Sequence, residues 1–170
     1  VTSAAHNDPN ALPQGDIGLL ETDVARELLS LASPARLAYV AADGSPRVFP
    51  MNHWWTGTEL VMATFTGAAK VAALRRRPAV AITIDTVSAT PHVLLLRGDA
   101  VVTDVDGIVP EYELVMRRDM PPAQADAYFD GLRADGATMH RIGVIPTWVG
   151  VLDFQTRFPG AAPAAMSAPS

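Results

Sequence analysis

The stretch TFTGAAKVAALRRRP, residues 64–78, follows the apolar run at 60–63 and places two hydroxyls, a glycine and a lysine where a strand-like pattern gives way to a helix-like one. With a helix start near Ala68, the first amide N–H groups have no intrahelical partner and the positive end of the helix dipole faces the loop. Thr64 and Thr66 can donate hydroxyls, and Gly67 allows close backbone approach. Lys70 places a formal charge in the first turn, where the dipole disfavours a cation unless an anion lies between them. A phosphate group suits this set of donors. An ordinary connection with a solvated lysine accounts for the same residues, since the stretch lacks the G-K-[ST] ending of a Walker loop.

A second candidate is RVFPMNHWW, residues 47–55. Alternation puts Arg47, Phe49, Met51, His53 and Trp55 on one side and Val48, Pro50, Asn52 and Trp54 on the other, so neither side is polar and both should be covered. Pro50 cannot donate to a ladder, which predicts an edge strand or interrupted pairing. A flat aromatic ligand against exposed strand backbone explains both features, as does burial in a dimer. His6, His53, His92 and His140 show no paired metal spacing, so no metal site is expected. DVDG before Glu111 lacks most calcium-loop ligands and reads as a turn into a helix. No G-x-S-x-G elbow is present. The chain has no cysteine, so redox chemistry must come from a bound cofactor.

These residues need a scaffold, and 170 residues suffice for one domain. Residues 1–18 and 159–170 are expected to be mobile tails around a domain at 19–158. No apolar run reaches bilayer length and the start has no signal-peptide pattern, so a cytoplasmic protein without membrane contact is expected. A net charge of -5 argues against nucleic-acid binding, and Arg75, Arg76 and Arg77 read as a solvated helix end. Thr22 or Asp23 can cap a first helix that Pro34 stops. Strand patterns follow at RLAYVA, SPRVFPMNHWW and ELVMAT, with turns at Asp43-Gly44 and Thr56-Gly57. After the helix before Pro78 come AVAITID, HVLLLRGDAVVTDV, two helical segments, and RIGVIPTWVGVLDF. The order predicts a mainly β protein, an antiparallel barrel with flanking helices.

The order of elements, together with GSPRVFPMNHWWTGTELVMATFTGAAKVAALRRRPAVAITID, LLLRGDAVVTD and IPTWVGVLDF, resembles the pyridoxamine 5'-phosphate oxidase-like split-barrel superfamily. The likeness covers residues 28–158. It implies a six-stranded antiparallel split β-barrel and a homodimer with FMN, or alternatively a deazaflavin coenzyme, at the subunit interface. By position it implies cofactor contacts from Arg47, Val48, Phe49, Pro50 and Asn52 along the ring, from Thr64, Thr66 and Lys70 at the phosphate, and from His92 and Trp148. Ala69 stands where the oxidases carry an arginine, and their carboxyl-terminal Arg-x-His pattern is missing, so pyridoxal phosphate synthesis is not expected. The implied activity is hydride transfer between the cofactor and a small planar organic substrate walled by Trp54 and Trp55. Abundant Ala, Arg and Val suit a GC-rich genome and keep a deazaflavin-dependent reductase open. A carrier of flavin or haem without turnover is the other alternative.

Overall fold

The computed structural model of the chain describes residues 9–160. Helix α1 (Asp23–Ser30) starts where Thr22 Oγ1 accepts from the Ala25 amide at 3.2 Å and donates to the Leu19 carbonyl at 2.7 Å, a cap contributing about 1 kcal/mol. Ala25, Leu28 and Leu29 form its buried stripe. Eight strands follow: β1 (Ala35–Val40), β2 (Pro46–Met51), β3 (His53–Trp55), β4 (Leu60–Phe65), β5 (Ala79–Asp85), β6 (Val93–Val105), β7 (Met139–Val144) and β8 (Trp148–Leu152). The other helices are α2 (Ala69–Arg76), α3 (Pro110–Asp119) and α4 (Pro122–Ala134).

All pairings are antiparallel, in the order β2-β1-β5-β6-β7-β4-β3, with β8 also on β6. The expectation of six strands needs correction in detail, because two of the predicted runs break at corners. Residues 46–55 pair first with β1 and then, past Asn52, with β4. Residues 139–152 stay beside β6 throughout but bulge at 145–147, opposite Gly98. A Cβ on Gly98 would lie 2.5 Å from the Ile145 carbonyl oxygen, so the bulge needs glycine there. Six bent runs therefore curl into the split barrel. Leu37, Ile82, Leu96, Leu60, Ile142 and Val149 fill its core together with α1.

The barrel is split because β3 zips only residues 60–62 of β4. Beyond that point β4 runs on through Ala63, Thr64 and Phe65, paired on its other side with β7, while β2 pairs with β1. Pro50 thus lies on an edge strand, as its missing N–H requires. The expectation that both faces of this run are covered holds for Met51 and His53 but not for residues 46–50, all of which are exposed.

Within residues 9–18, expected as part of a tail, Gln14 and Gly15 hold the chain against β8. Gln14 donates to the Val151 carbonyl at 2.6 Å and accepts from the Val151 amide at 2.9 Å, while the Gly15 amide reaches the Val149 carbonyl. This strap satisfies the outer edge of β8. Residues 1–8 and 161–170, with the remaining tail expectations, and His6 among them, lie outside the described residues.

Candidate functional site

The junction after β4 folds as its residues dictate. Gly67 takes φ +93°, a conformation costly for other residues, and turns the chain from Thr66 into α2. Ala68 is the N-cap and provides no side-chain hydrogen bond, so the first-turn amides have no side-chain partner. Lys70 reaches back from this turn. Its Nζ donates to Thr64 Oγ1 at 3.1 Å and lies 4.4 Å from the centroid of the Phe49 ring on β2. One side chain therefore bridges the split, bringing together the two regions singled out in the sequence.

Lys70 is the chain's single lysine. No carboxylate pairs with it among the described residues, and partial burial lowers its pKa. An ammonium with only a neutral hydroxyl and a ring face for partners is suited to an anion. The donor set of Lys70, Thr64 and the uncapped amides fits a phosphate. Beside it, Phe49 is 48% exposed on the edge strand, which suits a flat ring, while Val48, 65% exposed, lies on the opposite face of β2. The residues present fit a phosphorylated planar cofactor.

The other expected contacts are distributed unevenly. Thr66 is tied to Thr138, through hydroxyls 2.7 Å apart and from its amide to the Thr138 carbonyl. Arg47 pairs with Asp43 at 3.0 Å, and the Asp43 carboxyl falls to about 2, mainly through hydrogen bonds from Ser45. Pro50 and Asn52 are exposed at the strand break, with Asn52 Nδ2 3.7 Å from Met116 Sδ. His92 pairs with Glu27 of α1 at 2.9 Å. Trp148 lies on the outer face against Gly15 and Gly150, its ring centroid 4.1 Å from the Arg97 guanidinium. Within one chain, neither His92 nor Trp148 forms a hydrogen bond or ring contact with the junction. Trp54 and Trp55 line a cleft of about 390 Å³ with Arg26, Leu29, Ser30 and Arg118.

The family model described as pyridoxamine 5'-phosphate oxidase matches residues 21–104, which include β1 to β5, the junction and most of β6. An F420 reductase is 25% identical over 74% of this chain and 94% of its own, with a TM-score of 0.56. A putative pyridoxamine 5'-phosphate oxidase from Listeria innocua (18% identity, 77% and 97% covered, TM-score 0.56) and a conserved hypothetical protein from Mycobacterium tuberculosis (17%, 85% and 93%, 0.59) share the fold. These matches bear out the resemblance to the pyridoxamine 5'-phosphate oxidase-like split-barrel superfamily. A comparison with curated proteins gives no match.

Within this split barrel, two site neighbours were missed in the sequence. His140 on β7 is the register partner of Thr64, and Asp104 on β6 is the register partner of His140. Asp104 Oδ1 lies 2.6 Å from His140 Nδ1 and accepts from Arg75 of α2 at 2.5 Å. These contacts, Arg75 first, lower the Asp104 pKa. The helix end is exposed at Arg75, Arg76 and Arg77 as expected, with Arg75 also paired to β6 and Arg77 donating to the Ala41 carbonyl. A polar residue on the inward position of three successive strands was the available signal. No group of three or more potential metal ligands occurs among the described residues, and no helix there is long and apolar enough to cross a membrane.

Proposed function

We propose that the chain is an oxidoreductase that holds a flavin-type cofactor in the split, with its phosphate at Thr64, Lys70 and the first amides of α2 and its ring along β2. The observation that carries this reading is Lys70, paired with no carboxylate among the described residues, spanning from Thr64 to Phe49. When bound, such a cofactor supplies hydride chemistry that these side chains lack. The chain's own residues bind and orient: Lys70 and Thr64 fix the anionic end, Phe49 excludes water, and the Trp54–Trp55 cleft accepts a small planar substrate. The outer face of β2, β1 and β5 exposes Val40, Val48, Pro50, Ala79 and Ala81. A second copy covering it would form a homodimer and complete the cofactor sites.

FMN fits the single terminal phosphate this junction can hold. A deazaflavin coenzyme is the second reading, supported by the likeness to an F420 reductase. Pyridoxal phosphate synthesis is not part of the proposal, since the late Arg-x-His pattern is absent. Titration of the protein with FMN and with the deazaflavin coenzyme at equal salt, followed by tryptophan fluorescence, should give saturable quenching with FMN. Tighter deazaflavin binding reverses the cofactor assignment, and saturation by neither leaves a haem carrier as the surviving alternative. Sedimentation should show a dimer at micromolar concentration; a monomer that binds cofactor overturns the shared site.

A further inference from the structure

We propose that His140 is a further ligand of the anion held at the split, with Asp104 as its positioning residue. The inference rests on the proposed cofactor site and extends it to a strand outside the sequence signature of the junction. Thr64, His140 and Asp104 form one row across β4, β7 and β6, and paired residues of an antiparallel sheet project from the same face. His140 therefore stands beside the hydroxyl that Lys70 grips. Helix α2 supports the row at two points, with Lys70 on Thr64 and Arg75 on Asp104.

The ring orientation gives His140 its role. Asp104 takes the Nδ1 side, so a neutral imidazole carries its proton there and presents an acceptor at Nε2. Nε2 makes no hydrogen bond to any described residue and is not sealed from solvent, the side chain being 12% exposed. The charged groups facing the ring are Asp104 on β6 and, on α2, Arg75 through Asp104 and Lys70 through Thr64. A phosphate monoester, whose second ionisation lies near pH 6, can share one proton with Nε2, held on either partner. A phosphodiester has no proton to share and gains the contact only from an imidazolium. The row thus favours a monoester end.

His140→Asn separates the two ring nitrogens, because its amide can still donate to Asp104 while Nε2 is lost. FMN should bind this variant about tenfold more weakly than wild type at pH 6, as expected for one charge-assisted hydrogen bond. At pH 8 the loss should shrink to about twofold, because the phosphate monoester has then lost the proton it could share with Nε2. Riboflavin, which lacks the phosphate, should bind both proteins equally at both pH values. His140→Ala serves if the asparagine variant does not fold, since it also removes the Nε2 contact. An FMN loss that is absent, or equal at the two pH values, or matched by riboflavin, overturns the proposal. If Lys70→Ala weakens FMN while His140→Asn does not, the cofactor site stands and the role of His140 falls. If wild type binds no FMN, both fall.

Discussion

The two ends of β4 share one face and one strand but meet different fates. At the zipped end the inner rows read Leu60–Val144–Ala100 and Met62–Ile142–Val102, apolar and largely sealed in the core. One row further the same face reads Thr64–His140–Asp104, where β3 no longer pairs. Strand alternation decides which side chains point inward. Neighbouring strand length decides whether inward means buried, and the candidate site lies where the first rule persists after the second has failed.

The largest break in this comparison is expected from Ile142→Ala, at a fully buried position. It should destabilise the fold by about 2–5 kcal/mol through lost burial and a residual cavity, measured by urea unfolding. Thr64→Ala, one row away, should stay within about 1 kcal/mol of wild type in the same experiment. Equal costs would mean that Thr64 belongs to the core. Lys70→Ala should reverse the pattern, with stability little changed and FMN affinity in calorimetric titration reduced about tenfold or more. Unchanged affinity would remove the lysine from the site.

His53 sharpens the contrast because it is a polar residue on the zipped side. It is 1% exposed, and neither ring nitrogen has a hydrogen-bond partner. Burial lowers its pKa to about 4, with the nearby Leu29 backbone only partly opposing this. The unfolded chain therefore binds a proton between about pH 6.5 and 4 that the folded chain refuses, so stability falls as pH drops through that window. Urea unfolding should show about 1–2 kcal/mol less stability at pH 5 than at pH 7 from this group. His53→Leu should remove that part of the slope, and an unchanged slope would contradict the assignment. The smallest effect is expected for Thr66→Ala. With its hydroxyl engaged by Thr138, it should lower FMN affinity by no more than about threefold, less than Thr64→Ala does, since no charge-assisted contact is lost.

Much of this was legible because it is local. The Thr22 cap, the turns at Gly44 and Gly57 with φ of +83° and +99°, and the uncapped start of α2 follow from neighbouring residues. The superfamily resemblance supplied the barrel and its six runs. What stayed hidden depends on distant register. The Arg75–Asp104 pair, the Thr64–His140 row and the Gln14 strap on β8 join segments whose pairing no short pattern encodes. The corners at 52 and 145–147 were missed for the same reason, because a strand pattern does not say when its partner changes.

The central claim is that Lys70 holds the phosphate of the cofactor, and the chain's single lysine makes it directly observable. Reductive ¹³C-methylation labels one side-chain amine beside the N-terminus, and NMR can follow its titration. In the free protein the Lys70 signal should titrate below the ordinary lysine range, because burial disfavours its charge. Saturating FMN should move that titration upward, whereas riboflavin should leave it in place. An identical response to FMN and riboflavin, or none to bound FMN, would contradict the account.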